Sequence, residues 1–109
     1  MLKFFKTQED KKLERLQAFE EGCWVDLVNP TDDEVEDVCA LTGVPEEMLK
    51  AALDEEETAR AERDEDAFLC LLDTPTITDT DEGDTYETIP LALIYNSRCL
   101  VTVSLRGNP

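Results

Sequence analysis

The last third of the chain contains three apolar runs separated by short polar segments, and this pattern constrains the fold more than any other feature. Residues 67–77 and 86–95 are rich in aliphatic side chains, whereas the 79–84 segment between them is polar and acidic. A short turn then leads into the last run, residues 99–105. Apolar runs bounded by turn residues predict β-strands. We expect a meander of at least three antiparallel strands, with Pro90 at an edge or a bulge.

The first third of the chain adds further strands. Residues 1–7 and 23–28 are short segments rich in aromatic or β-branched side chains, which is typical of strands. The segment 12–19 fits either a helical face or a strand paired with the first one, and we interpret it as a strand. Trp24 is expected to anchor the core rather than to stack on a ligand.

Two short helices are predicted directly after these strands. Thr31 and Glu34 form a T-x-x-E capping box at the start of the first helix, and Gly43 is placed to end it. Pro45 suits the first turn of the second helix. Apolar positions recur at helical spacing and predict the buried sides: Val35, Val38, Cys39 and Leu41 or Thr42 in the first helix, and Met48, Leu49, Ala52 and Leu53 in the second.

The predicted elements define the fold class. Residues 54–66 are mostly charged and show no period, so we interpret them as an exposed connection, part of which could extend the second helix. The chain is therefore expected to be α/β in the broad sense and α+β in detail. It would have a mixed, largely antiparallel sheet with two short helices between the early strands and a C-terminal β-meander. A length of 109 residues gives room for one domain, residues 1–109.

The charge of the chain limits its partners. It has 27 acidic and 10 basic residues, a formal net charge of −17. A nucleic-acid partner is not expected, because such binding requires Lys and Arg to neutralise phosphates. Anionic membrane surfaces are disfavoured for the same reason. Metal ions or a basic protein surface are the partners that such a charge attracts, although composition alone favours solubility or adaptation to high salt.

The cysteines and the missing histidine limit the chemistry. Cys23, Cys39, Cys70 and Cys99 form no CxxC pair, and the chain has no histidine, so neither a structural zinc site nor a histidine-dependent triad is expected. We interpret the cysteines as free thiols in a reducing compartment, mostly buried. No signal peptide and no run of the ~18 apolar residues of a spanning helix is present, so the sequence as given is expected to be soluble and cytosolic. It is also expected to be non-enzymatic, because it has no histidine, no glycine-rich phosphate loop and little room for a deep cleft.

One acidic run is a candidate metal site. Asp54, Glu55, Glu56 and Glu57 are consecutive, and carboxylate oxygens are the ligands that Mg²⁺ and Ca²⁺ prefer. On a helix only Asp54 and Glu57, at i and i+3, share a face. The candidate metal ligands are therefore Asp54 and Glu57, and weak, salt-sensitive binding of Mg²⁺ or another divalent cation is expected. A solvated acidic surface is the alternative interpretation.

Several short pieces, in order, resemble a known family. They are Trp24-Val25-Asp26-Leu27, Asn29-Pro30-Thr31 with Glu34, Gly43-Val44-Pro45, Ala52-Leu53-Asp54-Glu55-Glu56, Arg60-x-Glu62, the apolar strand 68–72, Pro90-Leu91 with Leu93-Ile94, and Val101-Thr102-Val103. Together they resemble the N-terminal cytoplasmic domain of the CorA-type transporters of magnesium and cobalt. The resemblance covers the whole of residues 1–109.

The resemblance implies a partner and a function. Members of this family are homopentamers, with a stalk helix and membrane spans after this domain, and their cytoplasmic domains bind Mg²⁺ between subunits to close the pore. The acids that usually sense the metal correspond here to Lys50 and Ala51, neither of which is a usual Mg²⁺ ligand, so Asp54 and Glu57 would have to substitute. The sequence as given would be an isolated domain of a membrane protein, without stalk and spans.

We therefore expect a cation-attracting, non-enzymatic regulatory domain of a CorA-like divalent metal ion (Mg²⁺/Co²⁺) transporter, on the cytoplasmic side of the inner or plasma membrane. Its partners would be further copies of itself and the membrane part of the transporter. The alternative is a free-standing acidic module that binds a basic protein partner without sensing metal. One face of the late meander is expected to lack a cover, so the isolated domain should self-associate.

Overall fold

The computed structural model describes residues 1–7, 12–53, 59–80 and 83–105. Within these residues the elements are β1 (Leu2–Thr7), β2 (Leu13–Leu16), β3 (Trp24–Val28), α1 (Asp32–Thr42), α2 (Glu46–Lys50), a 3₁₀ turn (Ala51–Leu53), β4 (Arg60–Asp64), β5 (Ala67–Thr80), β6 (Gly83–Tyr95) and β7 (Leu100–Ser104). Neither of the two α-helices in this part of the chain has the length and apolar character needed to cross a membrane.

The strands form one mixed sheet in the order β2-β1-β3-β7-β6-β5-β4. Among the strand pairs in the described residues, only β3 and β7 run parallel, and the other five are antiparallel. Both helices lie in the connection that follows β3. Parallel neighbours such as β3 and β7 need a long crossover of this kind, which usually contains a helix. The predicted fold class is confirmed, including the strand character of the 12–19 segment, whose residues Leu13–Leu16 pair with β1.

The connection predicted over residues 54–66 is wrong in part, because Arg60–Asp64 forms the edge strand β4. Its four last side chains are exposed, as expected. The strand forms through backbone hydrogen bonds to β5 rather than through burial of apolar side chains. Its charged sequence therefore lacks the alternation of apolar and polar residues that would predict a strand. Charged side chains on a short edge strand also discourage pairing with another chain.

The two central strands of the meander are longer than predicted. β5 reaches Thr80 and β6 begins at Gly83, so the loop predicted over 79–84 is wrong for residues 79–80 and 83–84, which are strand. Residues 81 and 82 lie outside the described residues. The register is continuous from Phe68↔Tyr95 to Thr80↔Gly83, which excludes a bulge within this pair. β7 ends opposite Leu91, one residue from Pro90. β6 is an internal strand, so Pro90 is not on an edge strand; it lies one residue beyond the β6–β7 ladder, where its missing N–H is tolerated.

The core lies between the helices and one face of the sheet, which we name the helix face. Alternate residues of the strands point to it, and α2 and the 3₁₀ turn pack against β6. Buried side chains from both layers form the core: Cys23, Val25, Leu27, Val35, Val38, Val44, Met48, Leu49, Ala51, Ala52, Ala67, Leu69, Leu71, Ala92, Ile94, Cys99, Val101 and Val103. We name the opposite side the open face, because no described helix lies over it.

The ends of α1 follow the predicted signals. The Thr31 hydroxyl accepts a hydrogen bond from the Glu34 N–H at 3.2 Å, and the Glu34 carboxylate accepts one from the Thr31 N–H at 2.9 Å. Gly43 ends the helix in the left-handed region, with φ of 76°. On the buried side Thr42 rather than Leu41 continues the stripe of Val35 and Val38. The Thr42 carbonyl oxygen then accepts a hydrogen bond from Asn96 Nδ2 at 2.8 Å, which joins α1 to the turn between β6 and β7.

Candidate functional site

The proposed metal ligands Asp54 and Glu57 lie outside the described residues, in the 54–58 segment between the 3₁₀ turn and β4. The flanking residues fix where this segment begins and ends. Leu53 closes the 3₁₀ turn against the core, and Arg60 begins β4 at the sheet edge. Within the described ranges, no group of three or more acidic or cysteine side chains is placed to hold a metal ion.

Lys50 and Ala51, the positions that the resemblance aligns with metal-sensing acids, have defined environments. Lys50 Nζ lies 2.9 Å from Glu46 Oε1, one helical turn earlier, and this hydrogen bond raises the pKa of Lys50. Ala51 is buried and contacts the core cluster. A carboxylate at the Ala51 position would therefore be desolvated, and the lysine at position 50 stays charged with an acidic neighbour.

Seven of the described acidic residues lie on the two helices, five on α1 and two on α2. Asp32, Asp33 and Glu34 occupy the first turn of α1, and Glu46 and Glu47 occupy that of α2. Hydrogen bonding by the Thr31 N–H lowers the pKa of Glu34, so this carboxyl stays ionised further into the acidic range. Acidic residues in the first turn also interact favourably with the positive end of the helix dipole, which gives these residues a structural role independent of any ligand.

Arg60 has a local partner at the start of β4. Its Nε donates to Glu62 Oε1 at 2.6 Å, and both residues project from β4 towards the helix side of the sheet. The Arg60-x-Glu62 sequence is one of the short pieces that resemble the CorA-type family. Their spacing of two residues along a strand puts both side chains on one face, which explains why the pair forms.

A polar chain on the open face was not anticipated from the sequence. Trp24 Nε1 donates to Thr102 Oγ1 at 2.8 Å, and Thr102 Oγ1 donates to Asp26 Oδ1 at 2.9 Å. Trp24 also packs against Phe5, with ring centroids 4.9 Å apart. The prediction of Trp24 as a core anchor is wrong, because the ring is half-buried on the open face. The alternation in Trp24-Val25-Asp26-Leu27 could have indicated this, because neighbouring residues of a strand point to opposite faces. With Val25 and Leu27 in the core, Trp24 and Asp26 must lie on the other face.

These residues line a shallow cavity on the open face. The cavity has a volume of about 460 Å³ and is lined by Met1, Lys3, Trp24, Asp26, Val28, Leu91, Thr102 and Ser104. One carboxylate and two hydroxyls meet there, beside the cationic side chain of Lys3 and several apolar side chains. Such a set can bind a single hydrogen-bonding group, but Lys3 opposes a cation there and the cavity lacks the second carboxylate that a firm Mg²⁺ site normally uses.

The fold and surface thus define a small α+β domain with acidic helices on one side of its sheet. The family model described as CorA-like Mg²⁺ transporter protein matches residues 19–109. The chain belongs to this family. None of the curated proteins compared with the chain matches it.

Solved structures give the same fold. The soluble domain of CorA from Methanocaldococcus jannaschii matches with a TM-score of 0.77 and 21% identity, covering 98% of this chain and 41% of that one. The complete CorA magnesium transporter from the same organism matches with 0.72 and 21%, covering 99% and 33%. The full-length CmaX protein matches with 0.63 and 13%, covering 98% and 35%. The chain therefore spans less than half the length of each of these relatives.

Proposed function

We propose that residues 1–109 act as the regulatory cytoplasmic domain of a CorA-like transporter of divalent cations, with Mg²⁺ or Co²⁺ as the transported ion. The observation that supports this most directly is the family match over residues 19–109. In this proposal the domain is non-enzymatic. It works as part of a homo-oligomer, a pentamer by resemblance, joined to the membrane part of the transporter.

The electrostatics of the chain support attraction of cations to this domain. A net charge of −17 raises the local concentration of divalent cations near the surface, and the effect weakens once the Debye length falls to about 8 Å at physiological salt. The described helices contribute exposed carboxylates at Asp32, Asp33, Glu36 and Asp37. This attraction requires no preformed site, so it is consistent with weak rather than tight binding.

We place the sensing role on Asp54 and Glu57, which follow the helix after one intervening 3₁₀ turn. Lys50 lies shortly before them, and its ion pair with Glu46 offsets its repulsion of a nearby cation. Two carboxylates alone give a weak site, and ligands from a neighbouring subunit would complete it. This explains how the domain could respond to Mg²⁺ although Lys50 and Ala51 are not usual ligands.

Calorimetric titration with Mg²⁺ tests this assignment. The variant Asp54→Asn/Glu57→Gln removes two charges, and the control Asp33→Asn/Glu36→Gln removes the same two residue types at the same spacing on α1. At low ionic strength we expect weak heats for the unmodified chain and the control, and their loss in the first variant. Added salt should weaken binding. Absence of heat beyond dilution, or equal losses in both variants, would contradict the assignment.

The transporter proposal has a separate test, which is the reading frame after codon 109. Continuation into a stalk and two apolar spans is expected. A stop codon directly after Pro109 would instead favour a free-standing acidic module that binds a basic protein partner. The result does not depend on metal affinity, so the two parts of the proposal can fail independently.

A further inference from the structure

The two halves of the sheet meet at a single pair of strands. Strands β2, β1 and β3 form one antiparallel group, and β7, β6, β5 and β4 form the other. The parallel β3–β7 ladder, from Trp24↔Leu100 to Val28↔Ser104, joins them. Separation of the halves within the sheet therefore requires the loss of this ladder and of the Thr102 hydrogen bonds with Trp24 and Asp26 across it, and the ends of the ladder are positions where a covalent link would prevent that separation.

Two cysteines stand at the start of that ladder. Cys23 and Cys99 directly precede the paired residues Trp24 and Leu100, and the Leu100 N–H donates to the Cys23 carbonyl oxygen at 3.2 Å. Both side chains belong to the core cluster on the helix face, with exposures of 1% and 7%. Neighbouring strands lie about 4.8 Å apart. This spacing falls within the Cα separations of about 4.4–6.8 Å that a disulfide spans.

The surroundings hold Cys99 in a fixed position. Asn96 Oδ1 accepts hydrogen bonds from the N–H groups of Arg98 and Cys99, at 2.9 and 3.1 Å. The Cys99 Sγ lies 3.7 Å from the same oxygen. Asn96 is bound in turn to the Thr42 carbonyl oxygen, so the thiol pair lies where the β6–β7 turn, α1 and β3 come together.

We propose that Cys23 and Cys99 form a reversible disulfide that locks the two halves of the sheet together. The oxidant is a small-molecule disulfide such as oxidised glutathione. One cysteine thiolate attacks it, forms a mixed disulfide and releases one glutathione thiolate. The second cysteine thiolate then attacks the protein sulfur of that mixed disulfide and releases the second. The protein loses two electrons and two protons, and one oxidised glutathione becomes two reduced glutathione molecules.

The reaction is expected to be slow at neutral pH. Burial, together with the neighbouring Cys23 thiol, raises the pKa of Cys99 to about 11, although the adjacent Arg98 guanidinium opposes this. Only the thiolate attacks a disulfide, so the rate rises about tenfold per pH unit below the pKa. Such a pair responds to sustained oxidation rather than to brief exposure.

The test treats the Cys39→Ser/Cys70→Ser chain, which keeps the pair, with oxidised glutathione at mildly alkaline pH. The intact mass should fall by two hydrogens, and proteolysis without reductant should yield a peptide that links Cys23 to Cys99. Closure of so long a loop should raise the thermal midpoint by about 10 °C or more, reversibly with dithiothreitol. The matched control, Cys23→Ala/Cys99→Ala, keeps Cys39 and Cys70 and should form no internal disulfide.

Three results would overturn the proposal. The first is that the folded pair stays reduced under conditions that oxidise the urea-unfolded chain. The second is that the disulfide forms without raising the thermal midpoint. The third is that the unmodified chain forms its internal disulfide through Cys39 or Cys70. If the alanine control does not fold, peptide mapping of the unmodified chain decides between the pairings.

Discussion

Gly43 and Glu65 are two residues whose backbone conformation, rather than packing, determines their contribution to the free energy of unfolding. Both have positive φ, 76° at Gly43 and 54° at Glu65. An added Cβ at Gly43 would meet no heavy atom within 4 Å, so only the backbone opposes a side chain there. Glu65 carries a side chain in a conformation that costs L-residues roughly 1–2 kcal/mol.

We predict opposite effects of substitution at these two sites. Gly43→Ala should lower the free energy of unfolding by about 1 kcal/mol, because alanine is strained in the left-handed region. Glu65→Gly should raise it by roughly 0.5–1 kcal/mol, because relief of strain exceeds the added entropy of the unfolded chain. Urea unfolding at pH 7 measures both. Equal signs for the two substitutions would contradict the conformational explanation.

At the scale of elements, α1 is stabilised at its start by a reciprocal pair of hydrogen bonds that differ in their response to pH. The Glu34 carboxylate is a titratable acceptor, and its lowered pKa means that its folded form holds the proton less tightly than the unfolded chain does. Its contribution is therefore present above the unfolded pKa and is lost as pH falls through the folded pKa. The bond from the Glu34 N–H to the Thr31 hydroxyl does not titrate.

This difference yields a prediction for two variants of α1. Glu34→Gln should destabilise the chain at pH 7, and the deficit should shrink as the pH falls from about 5 towards 3, where the carboxylate is protonated. Thr31→Ala should cost about 1 kcal/mol with little dependence on pH over the same range. Urea unfolding of each variant against the unmodified chain, at several pH values, makes the comparison. A pH-independent deficit for Glu34→Gln would refute the role given to its carboxylate.

The elements also show which parts of the fold can be predicted from local sequence patterns. Both ends of α1 were predictable, because a capping box and a C-terminal glycine act through contacts within a few residues. Strand β4 was not, since its charged residues become a strand only through backbone pairing with β5. The candidate site was predicted from the spacing of Asp54 and Glu57, which assumes a helix there. That assumption stays a prediction, because both residues lie outside the described part of the chain.

At the scale of the whole molecule, the two sides of the sheet differ in character. The helix face is covered by α1, α2 and the 3₁₀ turn, whereas the open face exposes Leu72, Tyr95 and Leu100. Phe68 stacks on Tyr95 with ring centroids 5.0 Å apart, which extends this apolar surface along β5 and β6. Contiguous apolar patches of this kind normally lie at an interface. The net charge of −17 opposes association of two copies, so salt should favour it by screening.

We predict that the isolated chain self-associates through the open face at high concentration, and more strongly at 0.5 M than at 0.05 M salt. Light scattering should give a mass above the 12.3 kDa of one chain. Leu72→Glu places a charge on the open face and should restore the monomer. Leu41→Glu is the matched control, because Leu41 is equally exposed, at 39%, but lies on α1. A monomeric mass for the unmodified chain, or equal effects of the two substitutions, would count against the open face as the interface.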